Sequence, residues 1–356
     1  MTMTTTNQDA DRRARTVLVL GATGGVGGET ARQLRAAGWH VRALHRDPAR
    51  VAAAEPRFEW IAGDAMHAAD VLAAARGVDV ILHAVNPPGY RRWAEVVLPM
   101  MDNTIAAARA TGARVVLPGT VYNFGPDAFP TLRDDAPQRP VTRKGAIRVE
   151  MERRLEHAAA QGVRGLVVRA GDFFGPRAAN NWFAAIVKPG VPATVIRHPG
   201  SEGVGHQWAY LTDVAATIVG LLARDDEGAP AFERFHMEGH WDATGREMAE
   251  AIRRVVAART GRAPRIARFP WALAMIASPF VTLFRELREM RYLWRLPLRM
   301  DNAKLVKALG REPHTPLDEA VFATLVGQGV LSGSGLRPDP GIPSGDLSNA
   351  GVSSKS

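Results

Sequence analysis

The chain has 356 residues, 46% of them hydrophobic, enough for one large α/β domain or one domain with a smaller cap. It contains no cysteine, which excludes disulfides and thiolate metal sites and fits a reducing compartment. The formal charge of +9 does not point to nucleic acid, because the lysines are only Lys144, Lys188, Lys304, Lys307 and Lys355 and the arginines are scattered among acids, as on a solvated surface.

The first fifteen residues are Thr-rich and then charged (Asp9, Asp11, Arg12, Arg13, Arg15), with no apolar core for a signal peptide. No run reaches the ~18 apolar residues that a membrane span needs. The expectation is a soluble cytoplasmic protein with a disordered arm over residues 1–15. Residues 17–20 (Val-Leu-Val-Leu) suit a strand buried on both faces. Glycines then fall at 21, 24, 25, 27 and 28, and a helical stretch runs on to Gly38, a natural stop. A strand, a glycine turn and a helix N-terminus make an anion site. Gly21 permits the tight turn, Gly24 and Gly25 let backbone approach a pyrophosphate, and Gly27 allows close helix–strand packing. The pattern predicts a dinucleotide site.

Further strands are expected at 40–45, 58–62, 78–84, 114–117 and 165–169, with helices over 92–111 and 145–160. The breaker Asn86-Pro87-Pro88-Gly89 follows the fourth strand. Strands alternating with helices predict an α/β, doubly wound, Rossmann-type parallel sheet with right-handed crossovers. The expected organisation is a dinucleotide-binding domain over 16–170, a smaller C-terminal substrate-binding region over 171–330 packed on it, and a disordered tail over 331–356. Helices are expected at 210–224 and 245–259. The apolar stretch Pro270–Phe284 reads either as a packed helix interrupted at Pro279 or as a lid or membrane-surface helix.

Several motifs, in order along residues 16–326, resemble the extended and atypical short-chain dehydrogenase/reductase superfamily and its NAD-dependent epimerases and dehydratases. They are Gly21-x-x-Gly24-x-x-Gly27, Val121-Tyr122-Asn123-Phe124-Gly125, Arg169-Ala170-Gly171-Asp172-Phe173-Phe174-Gly175-Pro176, Tyr210-Leu211-Thr212-Asp213-Val214-Ala215 and His314-Thr315-Pro316-Leu317-Asp318-Glu319-Ala320. The resemblance implies a dinucleotide cradled by Gly21, Thr23, Gly24, Gly25, Val26 and Gly27, with Asp64 and Ala65 at the adenine and Ala84 beside the cofactor. Asp64 also reads as a turn residue capping the next helix. The second strand ends in His45-Arg46, and a base there pairs with a 2′-phosphate, which points to NADP. Asp47 follows, so NAD stays possible.

Relatives use a tyrosine as general acid/base and a lysine four residues later. Here the residues four beyond Tyr90, Tyr122, Tyr210 and Tyr292 are Ala94, Pro126, Val214 and Leu296, so no Tyr-x-x-x-Lys pair exists. Aligning Arg148-x-x-Met151-Glu152 with the family's Lys-x-x-x-Glu helix puts Lys144 at the tyrosine position and Arg148 at the lysine position. Pro118 replaces the family's serine, with Thr120 two residues on. Arg148 can hold ribose hydroxyls but does not release a proton. Lys144, desolvated beside it, can act as acid/base, or it is a surface lysine on the loop Arg143-Lys144-Gly145. Tyr122 and Thr120 are the alternative proton donors.

His236-x-x-x-His240 has helical zinc spacing, but Phe235 to His240 reads as a strand edge, and no metal is expected. Ser201 near His206 lacks a nucleophile elbow, which argues against a hydrolase. Phe173, Phe174, Trp182, Phe183 and Trp208 either line a substrate pocket or pack as core. Two functions remain open. One is an oxidoreductase or epimerase-like enzyme acting on an apolar small molecule or a sugar nucleotide, in a chain that dimerises as relatives do. The other is a non-catalytic NADP-sensing regulator.

Overall fold

The structure, a computed structural model, describes residues 14–86, 93–178, 181–224, 227–272, 275 and 288–333. Tyr90, residues 87–89, most of the apolar stretch 270–284, and nearly all of the expected arm and tail lie outside the described residues.

The first half alternates strands and helices: β1 (Thr16–Leu20), α1 (Gly25–Ala36), β2 (His40–His45), α2 (Pro48–Val51), β3 (Glu59–Ala62), α3 (Ala68–Ala75), β4 (Val80–His83), α4 (Trp93–Thr111), β5 (Arg114–Gly119), a two-residue β6 (Thr131–Leu132), α5 (Arg143–Ala159) and β7 (Gly165–Arg169). The second half is less regular. It holds β8 (Asp172–Phe174), α6 (Trp182–Ile186), β9 (Val195–His198), β10 (His206–Tyr210), α7 (Leu211–Ala223), β11 (Phe232–His236), β12 (His240–Asp242), α8 (Glu247–Thr260), β13 (Arg265–Arg268) and β14 (Arg299–Met300). Two helices, Ala303–Leu309 and Leu317–Gly327, follow.

Seven strands form one parallel sheet in the order β11-β7-β5-β4-β1-β2-β3. β1 is buried along its whole length, as a central parallel strand covered on both faces must be. Its side chains alternate. Leu18 and Leu20 join the core beneath α3, α4 and α5, and Val17 and Val19 join the core beneath α1 and α7. The order reverses at β1, whose neighbours β2 and β4 lead away in opposite directions. A crevice therefore opens at the carboxyl ends of β1 and β4, where ligands of such sheets bind.

The chain crosses the expected boundary at residue 170. β11 supplies the sheet's outermost strand beyond β7, and α7 packs against α1, so both halves build the dinucleotide-side layer. The rest of the second half shares a further core with Val121, Phe124 and Leu132 of the first half, centred on Phe174, Phe183, Trp208, Trp294 and Val321, beside the short sheet β12-β10-β8. Among the described residues no helix is long and apolar enough to cross a membrane.

Candidate functional site

The glycine loop turns at Gly21, whose φ of +96° is natural only for glycine. The Gly24 N–H closes the turn by donating to the Gly21 carbonyl at 3.0 Å. A Cβ at Gly21 would stand 2.6 Å from the Ala84 carbonyl, so the loop lies directly against the end of β4. Gly27 is held even more closely, because a Cβ there would meet the Gly21 carbonyl oxygen at 2.3 Å and the Ala84 side chain at 3.1 Å. A Cβ at Gly24 would meet only the Gly21 carbonyl, at 3.3 Å, while Gly25 packs against Leu211 and the Arg177 carbonyl. Thr23 and Gly24 are exposed at the mouth of the crevice, and Val26 is half-buried. α1 begins here with no side-chain cap and no acid in its first turn, which leaves its N–H groups and positive dipole end to an anion. The cradle fits a pyrophosphate.

Arg46 is exposed just past β2. Asp47, the competing acid, has a structural role as the N-cap of α2, accepting the Arg50 N–H at 3.3 Å. Asp64, after β3, accepts the Met66 N–H at Oδ1 (3.0 Å) in a local turn, but it does not cap the next helix, whose N-cap is His67. Ala65 is buried, and its carbonyl accepts from Asn103. At the end of β4, His83 is buried and its Nδ1–H donates to Thr104 Oγ1 at 2.8 Å. Burial first, and the Arg148 charge second, hold its pKa down to about 3, so the imidazole is neutral.

Lys144 lies on the first turn of α5 with only 7% of its surface exposed, which overturns its alternative reading as a surface lysine on a loop. The helix starts at Arg143 because Thr142 caps it, its hydroxyl accepting the Gly145 N–H at 2.9 Å. Gly145 is required for contact, since a Cβ there would fall 2.1 Å from the Tyr122 carbonyl. The start of α5 is thereby seated on the single turn Val121–Asn123 that follows β5. Arg148, one turn further along the same face as Lys144, places its guanidinium 5.3 Å from the Trp93 ring centre and near His83, over the end of β4. The structure thus brings Arg148, Tyr122 and Thr120 to the carboxyl ends of β4 and β5, with Lys144 buried one turn before Arg148 on α5. Thr120 is turned to its own loop, with its hydroxyl 3.4 Å from Asn123 Oδ1.

Beneath this group lies a buried polar cluster. Arg169, at the end of β7 and wholly buried, donates to both Glu152 carboxylate oxygens at 2.5 Å, to the Thr120 carbonyl at 2.9 Å and to His236 Nε2 at 2.7 Å. Asn123 and Gln138 also donate to Glu152. The two histidines of the zinc-like spacing stand on different strands, β11 and β12, and the His236 ring is committed to Arg169 and the Leu132 carbonyl. Phe174 and Phe183 stack 5.9 Å apart and, with Trp182 and Trp208, are packed as core; Phe173 is half-buried.

One pair had no signal in the spacing. Asp172 and His206, 34 residues apart, meet at 2.8 Å because β8 and β10 are neighbours in the short sheet. The Tyr122 hydroxyl lies 3.5 Å from the same carboxylate.

A family model described as NAD(P)H-binding matches residues 21–172, which span the glycine loop, β2 to β7 and the start of β8. A 3-diazoavenalumate denitrifying reductase from a Streptomyces species is 32% identical over 178 residues, 45% of this chain and 57% of that protein, so the chain matches little more than half of that relative's length. Among solved structures, MoeE5 in complex with UDP-glucose and NAD superimposes with a TM-score of 0.67 at 18% identity, over 88% of this chain and 98% of that one. A UDP-galactose 4-epimerase gives 0.65 at 19% identity over 88% and 98%. DesIV, a dTDP-glucose 4,6-dehydratase from Streptomyces venezuelae with NAD and TYD bound, gives 0.66 at 18% over 88% and 96%. The fold is that of the NAD-dependent epimerases and dehydratases.

Proposed function

We propose that the protein is an NADP-preferring reductase of a small molecule bound between the glycine-loop crevice and the second-half layer. The observation that supports this reading is that Lys144 and Arg148 stand one helical turn apart on α5, with the Arg148 guanidinium beside Trp93 and His83 at the end of β4, within the segment that matches an NAD(P)H-binding family model. Reductive chemistry is also the activity named for the Streptomyces relative, which favours reduction over epimerisation.

When bound, the dinucleotide supplies hydride. The chain's own residues do the rest. The N–H groups of residues 25–27, at the uncapped start of α1, take the pyrophosphate charge, and Arg46 pairs with a 2′-phosphate while Asp47 caps α2. Asp64 and Ala65 border the adenine. Arg148 holds ribose hydroxyls as a permanent cation. Lys144, shielded from water, holds the developing negative charge on the substrate, and Lys144 and Tyr122 are the two groups able to supply a proton.

The test is a Lys144→Ala and Arg148→Ala pair, assayed for NADPH binding and for NADPH oxidation across a panel of carbonyl compounds and sugar nucleotides. Lys144→Ala should lower turnover by about 10–100-fold with NADPH affinity retained, the loss expected for one charge-assisted contact. Arg148→Ala should weaken NADPH. A wild-type protein that binds NADPH and oxidises it with no member of the panel is instead the non-catalytic sensor.

A further inference from the structure

The His236 ring, at the end of β11 and 1% exposed, shows how this chain pairs a buried histidine with an arginine. Its Nδ1–H donates to the Leu132 carbonyl at 3.3 Å, and its Nε2 accepts an N–H of the Arg169 guanidinium at 2.7 Å. Burial first, and the Arg169 charge second, hold the ring down at about 3, so it is neutral. A neutral imidazole whose proton is committed on one edge presents a lone pair on the other, and here a guanidinium fills it.

His83, at the end of β4, has the same tautomer for a different reason. Thr104 commits its only proton to the Met100 carbonyl at 3.0 Å, so its oxygen can only accept from the ring. The proton of the 2.8 Å contact therefore sits on His83 Nδ1, and Nε2 is a lone pair. His83 and Thr104 are 2% and 0% exposed, and Nε2 has no hydrogen-bond partner among the described residues. A buried acceptor left bare is unfavourable. The cation beside this ring is Arg148, whose charge acts on it second only to burial, as Arg169 acts on His236. Arg148 stands on α5, which packs against the α4 helix that carries Thr104. Its side chain is half-buried, with the guanidinium 5.3 Å from the Trp93 ring centre.

We propose that His83 is a positioning residue for Arg148. A turn of the arginine side chain brings one guanidinium N–H to Nε2, as Arg169 gives one to His236, and this fixes the direction in which the other N–H groups meet the ribose hydroxyls of the dinucleotide. The inference rests on the reading of Arg148 as the ribose-binding cation. A guanidinium has five N–H donors, so one bond to the ring leaves the rest for the ligand. A neutral ring also leaves the Arg148 charge intact, whereas a carboxylate in its place would cancel it. The Thr104–Met100 chain supplies the tautomer that the arrangement needs.

Nitrogen-15 spectra of the histidine-labelled, cofactor-free full-length protein, assigned through the backbone, read the ring directly. At neutral pH His83 should carry a proton on Nδ1 and none on Nε2, and Arg148→Met should move the Nε2 resonance to that of a free imidazole nitrogen. A proton on Nε2 overturns the proposal. So does an Nε2 resonance that Arg148→Met leaves in place, the result for a ring bonded to water instead.

NADPH titration is the second readout. His83→Phe should weaken NADPH about tenfold, the size of one hydrogen bond to a charged group, and the same change in the Arg148→Met background should weaken it no further. Equal losses in the two backgrounds, or no loss in either, mark a ring that only packs and overturn the proposal. If His83→Phe does not fold, the spectra decide. A folded wild type that binds no NADPH contradicts the dinucleotide reading, and the spectra still judge the bond between His83 and Arg148.

Discussion

The Gly21 carbonyl oxygen lies 2.3 Å from the point where a Cβ on residue 27 would stand. That distance leaves no room for any side chain, and the atom in the way is backbone on the opposite arm of the loop. Gly27→Ala must therefore spread the turn that presents the α1 N–H groups. It should weaken NADPH at least tenfold and cost about 1–3 kcal/mol of stability. Gly24→Ala, with only a 3.3 Å approach to the same oxygen, is the control for stability alone. Calorimetric titration of Gly27→Ala and thermal unfolding of both variants check this, and an unchanged NADPH affinity in Gly27→Ala would remove Gly27 from the cradle.

Arg46 stands exposed past β2 while Asp47 caps α2. Arg46→Asp should lower the NADPH:NADH affinity ratio at least tenfold, the size of one charge-assisted phosphate contact reversed in sign. An unchanged ratio sinks the 2′-phosphate assignment.

Glu152 is the partner that makes a wholly buried Arg169 tolerable. Glu152→Ala leaves that guanidinium uncompensated and should cost about 3–5 kcal/mol in urea unfolding. A loss under about 1 kcal/mol would contradict the account of the cluster.

Acid should destabilise the fold through three buried histidines. Burial holds His83 and His236 at about 3 and His240 at about 4. Unfolding restores each to about 6.5, so between those values the unfolded chain binds the extra protons. Stability is then complete above about pH 6.5 and falls as pH drops, by at most ~1.4 kcal/mol per unit for each histidine. Glu312, pushed up by burial, acts in the opposite sense at the acid end. Urea midpoints at neutral pH and about 1.5 units below it check the slope; equal midpoints would contradict it.

The parallel sheet was legible because its strands are short apolar runs between glycines. The expected bounds of β2 and β7 match the structure, and β1 differs by Thr16 alone. Where a breaker residue is used unusually, the reading stopped short. β5 continues through Pro118 and Gly119, since its pairing with β4 ends at Val116 and only β7 remains beside it. Gly145 suggested a loop, yet it sits inside the first turn of α5, where Tyr122 leaves no room for a side chain; the Thr142 cap was the available signal. The glycine cradle is local and was read directly. The Asp172–His206 pair is made by strand pairing across 34 residues, and no local pattern carries it.

The central claim is a dinucleotide held at the Gly21–Gly28 loop, and the most direct measurement is titration of the purified full-length protein with NADPH and with NADH. The account predicts saturable binding of one dinucleotide per chain, tighter for NADPH and lost in Gly27→Ala. Binding of neither dinucleotide by the folded wild type, or binding that Gly27→Ala leaves intact, would contradict it.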